Sequence, residues 1–340
     1  MTLEPGLADD TVRWRMGHSN RWNWASTLAA CEEARDSIAI EQYILAPQGI
    51  GRTLLELLAR RAREGVAVRV MLDSFGSASA FSSQPARALQ KAGGALRSFH
   101  GLSALMRHPI GALPRLHRKT VICDRAAMLV GGSCFEQRMA DWRDTMAWIE
   151  GAPAAAAAAA FDRIWQAPRA TRHARVPPPP APETEPVWQH VVSGEDGGTV
   201  AYPDLLLDRI AAAERSVVLA APYLLYDPWL WRTLRGALAR GVALTLIVPA
   251  RGDIGWVNVL TRQSGRMLAR AGARVLAYQP AMLHAKLALI DDAWAAVGSL
   301  NLDPLSLRVN FEAGIASRHP AFCATLGERL AEDAAQAASF

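Results

Sequence analysis

The same order of features occurs twice along this chain, and such a duplication limits the fold more than any other property of its 340 residues. The first copy runs SIAIEQYIL (37 to 45), LLELLARRAREGV (54 to 66), VRVMLD (68 to 73), LQKAGGALRSF (89 to 99) and then RLHRKTVICD. The second follows at a spacing of roughly 170 to 180 residues. It runs SVVLAAPYLL (216 to 225), WRTLRGALARGV (231 to 242), LTLIVP (244 to 249), LARAGARVLAY (268 to 278) and then MLHAKLALIDD. Short β-branched runs alternate with segments of helical period that close on Gly before the next strand, the pattern of βαβ units. The expected fold class is α/β, in two similar βαβ-rich halves with mainly parallel sheets.

RVPPPPAPETEP (175 to 186) cannot continue a helix and reads as a stiff extended linker. The Ala-rich run before it, PAAAAAAAFDRIWQ, has a proline suited to a first helical turn and closes the first half. The expected divisions are an N-terminal extension (1–19), a first half (20–168), a linker (169–186) and a second half (187–340).

The hydrophobic share of 51% with 20% charged residues belongs to a folded chain, with disorder confined to ends and linkers. The net charge of +5 favours anionic partners: nucleic acid, acidic lipid or a phosphorylated small molecule. Cys31, Cys123, Cys134 and Cys323 lie too far apart for a C-x-x-C site, which suits a reduced, cytoplasmic protein. MTLEPGLADD lacks the basic and then apolar order of an export signal, and no run of 18 or more apolar residues follows. A lipid substrate would therefore be met at a membrane surface, not within a span.

The chemistry sits in a repeated H-x-K-x-x-x-x-D pattern: His117, Lys119 and Asp124, then His284, Lys286 and Asp291. In a strand, residues two apart share a face, so each His and its Lys project together. One such match is weak. Two, at equivalent places in two similar halves and each followed by a small-residue turn, GGSC (131 to 134) and GSLN (298 to 301), are strong.

Two histidines suit phosphodiester chemistry. One attacks phosphorus and splits the reaction through a covalent phosphohistidine, and the other protonates the departing alcohol. The lysines neutralise non-bridging oxygens. The scheme requires no metal and no cofactor.

On these motifs the chain resembles the phospholipase D superfamily, and LHAKLALIDDAWAAVGSLNLDPLSLRVNFEAGI and HRKTVICD with WRDTMAWIEG are similar to its bacterial cardiolipin synthase branch. The resemblance spans about residues 20 to 335. It implies a phospholipase D-like fold with pseudo-twofold halves sharing one active site. It also implies transfer of a phosphatidyl group between phosphatidylglycerol molecules at an anionic membrane surface, peripheral on the cytoplasmic face of the bacterial inner membrane.

The resemblance further implies that His117 attacks and His284 serves as acid and then base, although the residues alone permit the reverse. Asp144, 27 residues after His117, and Glu312, 28 after His284, match the family's orienting carboxylates. Asp124 and Asp291 complete the motifs beside turns and are expected to fix local structure. Ser299 and Asn301 fit a phosphate-binding turn. In the first half Cys134 stands where the family has Asn, so that either Ser133 supplies the donor or that wall is tuned to a particular headgroup.

Rival readings are a hydrolase releasing phosphatidate, a nuclease of the same superfamily, and a noncatalytic anionic-lipid binding protein. The family-like text disfavours nucleic acid as partner. Of Trp22, Trp24, Trp229, Trp231 and Trp256, some are candidates for a membrane rim, with core packing the expectation for most.

Overall fold

The computed structural model describes residues 12–100, 114–166, 186–194 and 201–340. The first-half strands are β1 (Arg13–Gly17), β2 (Ser37–Gln42), β3 (Ala67–Asp73), β4 (Ala95–Phe99), β5 (Thr120–Cys123), β6 (Ala127–Gly131) and β7 (Met146–Glu150). The second-half strands are β8 (Trp188–Val192), β9 (Ser216–Ala220), β10 (Ala243–Pro249), β11 (Arg274–Tyr278), β12 (Leu287–Ile290), β13 (Trp294–Gly298), β14 (Ala313–Ser317) and β15 (Ala337–Ser339). They form two sheets, ordered β1-β7-β6-β5-β2-β3-β4 and β15-β11-β10-β9-β12-β13-β14-β8.

The α/β class and the two similar halves stand, but the sheets are mixed and not mainly parallel. Parallel pairing joins β2, β3 and β4, and β9, β10 and β11. The remaining pairs are antiparallel. The cause is local. Parallel neighbours need a crossover of about a dozen residues, whereas β5 returns as β6 through a turn with Asp124 at φ 51 and Arg125 at φ 57. The second half repeats this between β12 and β13, with Asp291 at φ 53 and Asp292 at φ 54. Asp tolerates this left-handed backbone, which suits the twist of a hairpin.

The expected N-terminal extension also needs correction. RWRMG forms β1 at the edge of the first sheet, antiparallel to β7, with Trp14 and Met16 buried. Ser19 then caps the helix Asn20–Glu33, its Oγ accepting from the Trp22 N–H. Of the expected linker only Pro186 lies within the described residues.

Three apolar clusters fill the molecule. One lies within each half, and the third joins them, taking side chains from both sheets and from the helices Ala152–Gln166 and Pro320–Ala335. Phe161, Trp165, Trp188 and Phe322 are buried in this shared layer, each contributing about 1.5–3 kcal/mol on burial. The halves are therefore held rigidly enough to place catalytic groups from both in one site.

Candidate active site

The two motifs enter the site by the same exchange of backbone hydrogen bonds. The His117 N–H donates to the Phe311 carbonyl at 2.9 Å, and the Phe311 N–H donates to Arg115 at 2.9 Å. In mirror fashion the His284 N–H donates to Arg143 at 2.8 Å, and the Arg143 N–H donates to Met282 at 2.9 Å. Each histidine segment is thus clamped to the residue preceding the other half's carboxylate.

The side chains follow this crossing. Nδ1 of His117 lies 2.9 Å from both carboxylate oxygens of Glu312, and Nδ1 of His284 lies 2.6 Å from Oδ2 of Asp144. An Nδ1–H donated to each carboxylate leaves Nε2 as the unprotonated, reactive nitrogen. The histidines are 8% and 6% exposed, and Lys119 and Lys286 are more deeply buried. Nζ of Lys119 donates to the His117 carbonyl at 2.6 Å, and Nζ of Lys286 lies 3.1 Å from Nε2 of His284. Tyr43 packs edge-on against His117 at 5.1 Å, and Trp142 packs at a tilt against His284 at 5.2 Å, which fixes the rings laterally.

Burial and crowded positive charge set the protonation states. Burial lowers His117 well below its ordinary value, and the charges of Lys119, Lys286 and His284 push the same way, so the four groups share one field. Burial and Lys286 also lower His284, but Asp144 opposes them through charge and hydrogen bond. Burial brings Lys286 down to about 8 and pushes Glu312 up to about 7 against the pull of Lys119. Burial lowers Lys119 too. The pocket is therefore crowded with positive charge and suited to an anion, with His117 the more firmly neutral imidazole.

The other sequence candidates are placed differently. Asp124 accepts the backbone N–H groups of Arg35, Asp36 and Ser37, and Asp291 those of Glu214, Arg215 and Ser216. Each ties its hairpin turn to the start of the neighbouring strand, a structural and not a catalytic task. The hydroxyl of Ser133 is engaged elsewhere, donating to Oδ1 of Asn20 at 2.6 Å. Ser299 is committed as well, donating to Glu312 and accepting from the Ala313 N–H at 3.0 Å. Asn301 hydrogen-bonds Asp303 through its side chain and keeps a buried Oδ1 without a hydrogen-bond partner among the described residues, an acceptor that does not suit a phosphate oxygen. Cys134 is buried, and burial pushes its thiol up, so it stays protonated and acts as a small apolar wall.

Several supporting residues carried no sequence signal. Arg118, fully buried, donates to the Glu312 carbonyl at 3.2 Å and to the Ser193 carbonyl at 2.8 Å. Arg143 is held by Asp333 through contacts of 2.8 and 2.6 Å. Asn20 links Ser133 to the Met139 carbonyl, at 2.6 Å on each side. A separate groove of about 780 Å³, lined by Arg13, Arg15, Trp148 and Asp124 among others, includes none of the histidines or motif lysines.

With this geometry in view, known proteins give a consistent comparison. The family model described as "Cardiolipin synthase, PLD-like domain" matches residues 28–165 and 206–334. Cardiolipin synthase A of Pseudomonas putida is 31% identical over 345 aligned residues, which span 98% of this chain and 70% of that protein. The Pseudomonas aeruginosa protein of the same name is 30% identical, over 100% of this chain and 70% of its own length. Among solved structures, a phosphatidylserine synthase from Haemophilus influenzae superposes with a TM-score of 0.75 at 14% identity, over 99% of this chain and 89% of that one. A polyphosphate kinase from Porphyromonas gingivalis gives 0.64 at 15% identity, over 97% of this chain and 50% of that one. At such identities the structural likeness concerns fold.

Proposed function

This chain belongs to the cardiolipin synthase, phospholipase D-like family, and from that premise we propose that it is a phosphatidyltransferase making cardiolipin from phosphatidylglycerol. The observation that carries the reading is the crossed pairing, in which each imidazole is oriented by a carboxylate from the opposite half beside two buried lysines.

In the first displacement Nε2 of His117 forms a bond to phosphorus while the bond from phosphorus to the glycerol oxygen breaks. His284, protonated, gives its proton to the departing alkoxide. The hydroxyl of a second phosphatidylglycerol then loses its proton to His284 and attacks the phosphohistidine, releasing His117. Lys119 and Lys286 receive the non-bridging oxygens. Binding the anionic phosphodiester offsets the lysine charges that depress His284, so substrate itself helps to load the acid. The firm neutrality of His117 and the Asp144 support of His284 favour this assignment of nucleophile and acid over its reverse. Burial of all four groups favours transfer over hydrolysis, because the second step succeeds only where water is scarce.

The expected place of action is an anionic membrane surface, peripherally and on the cytoplasmic face. Among the described residues no helix is long and apolar enough to cross a membrane. The test is direct: purified protein is incubated with phosphatidylglycerol vesicles and, separately, with single-stranded DNA, and products are identified by mass. Cardiolipin with free glycerol is expected. Phosphatidate alone would make the protein a hydrolase, and cleaved DNA a nuclease.

A further inference from the structure

Among the described residues nine large hydrophobic side chains are exposed, and eight of them belong to the second half. Trp256 is 66% exposed and Trp229 59%, whereas Trp24 and Trp231 are buried. The exposed set is not scattered. Tyr226 and Trp229 follow β9, and Trp256, Val259 and Leu260 follow β10, its parallel neighbour, so all five come after the C-terminal ends of adjacent strands. His284 and Lys286 lie at that same end of the strands, because they precede β12, whose first residue Leu287 pairs with Ala220 at the end of β9.

Specific contacts join these positions into one surface beside the site. Tyr223 donates its hydroxyl to Asp253 at 2.8 Å, linking the segment after β9 to the start of the helix Gly255–Arg270. The Leu225 N–H donates to the Leu302 carbonyl, next to Asn301. Arg308 pairs with Asp227 at 2.7 Å, and its guanidinium lies 5.9 Å from the Trp229 ring, which brings exposed Leu305 of the helix Pro304–Arg308 to the same face.

The helix Gly255–Arg270 is built against the usual soluble pattern. Its inward residues are Val257, Thr261, Ser264, Gly265 and Leu268, while Trp256, Val259, Leu260 and Met267 point outward at helical spacing. An apolar stripe presented to water in this way requires a covering partner. Charge indicates which one. Neither this helix nor the helix Pro228–Ala239 contains an acidic residue, and Arg262, Arg266 and Arg270 are exposed on the turns that follow the apolar ones. The nearby acids Asp227 and Asp253 are engaged by Arg308 and Tyr223. Indoles and aliphatics at a rim, backed by arginines, match the interface of an anionic bilayer.

We propose that this face of the second half docks the protein on an anionic phospholipid bilayer. Trp229, Trp256, Val259 and Leu260 enter the interfacial layer, and Arg262, Arg266 and Arg270 meet headgroup phosphates. The proposal rests on the lipid reading above and adds which surface meets the membrane, so that docking falls to the second half.

The test is flotation of the whole chain with vesicles of equimolar phosphatidylglycerol and phosphatidylcholine, using W256E/L260E and, on the neighbouring segments, W229E/L305E. Wild type is expected to float, more weakly at high salt, and each double variant to partition at least about tenfold less. Turnover of a monomeric short-chain phosphatidylglycerol should stay within about twofold of wild type, since neither pair touches the catalytic groups. Should one variant misfold, the other keeps the test decisive. Flotation of both folded variants equal to wild type, or failure of wild type to float, overturns the proposal. So does a wild-type dimer that the substitutions convert to monomer, which would assign the face to a second copy. Flotation needs no turnover, so loss of the transferase reading would show separately, as wild type leaving every lipid unchanged.

Discussion

Oδ2 of Asp144 lies 2.6 Å from Nδ1 of His284, a residue of the opposite half of the chain, and Glu312 holds His117 in the reciprocal way. Neither half therefore contains a finished catalytic histidine. An imidazole is a useful nucleophile or acid only when its tautomer and ring plane are fixed, and here the fixing group always comes from across the interface.

Asp144→Asn and Glu312→Gln keep the shapes of these contacts but lose the acceptor charge. Each is expected to lower kcat about 10²- to 10⁴-fold with little change in KM. Steady-state turnover of phosphatidylglycerol measures this. A KM effect without a kcat effect would place these carboxylates on substrate instead.

The halves differ in how they seat the carboxylate. A Cβ at Gly132 would lie 2.2 Å from Oδ1 of Asp144, whereas Ser299, at the matching place, donates to Glu312. Gly132→Ala should displace Asp144 and lower kcat by about 10²-fold. Ser299→Ala, which removes one hydrogen bond to a charged group, should cost about 10-fold. Thermal melts alongside the kinetics check that both variants remain folded.

Lys286 sets an alkaline limit. Burial brings it from 10.5 down to about 8, and the ammonium must be charged to receive phosphate, so kcat/KM should fall as pH rises through about 8. Lys286→Arg should move that limb upward. For stability the sign is opposite: between about 8 and 10.5 the unfolded chain binds more protons, so stability rises with pH there, and the cost of the buried charge is fully present below 8. Lys286→Met should accordingly raise Tm at neutral pH while abolishing turnover.

Legibility followed physical range. The repeated motif and the helices between parallel strands are visible because period and spacing are local properties, whereas the two carboxylates are visible only through the family resemblance. The crossed pairing is not, since nothing within WRDT or NFEAG indicates which histidine it will meet. Ser133 is a candidate only as a stand-in for the Asn that Cys134 replaces; Gly131 and Gly298 end matching strands, so Gly132 and not Ser133 stands opposite Ser299. The mixed sheets were hidden because the hairpin turns are Asp-Arg and Asp-Asp, without the glycine that usually marks such a turn. β1 was hidden because RWRMG is short and follows an acidic stretch, and its pairing with β7 lies far along the chain. Arg118 and Arg143 carry no local pattern that marks them for burial at the interface.

Arg143 supplies the interface prediction. It carries both the backbone contact to His284 and a buried ion pair with Asp333, whose side chains are 9% and 4% exposed. Asp333→Ala strands the guanidinium and should destabilise the protein by about 3–5 kcal/mol. Denaturant unfolding measures this, with turnover falling because the clamp on His284 loosens.

The central claim is that both histidines act on one phosphorus in one site. Intact-protein mass spectrometry of His284→Ala, mixed with a phosphatidyl ester whose leaving group needs no acid, tests it most directly. The account predicts a single phosphatidyl adduct per chain, located on His117, and none in His117→Ala. Two adducts per chain, or an adduct on His284 in the His117→Ala protein, would contradict it.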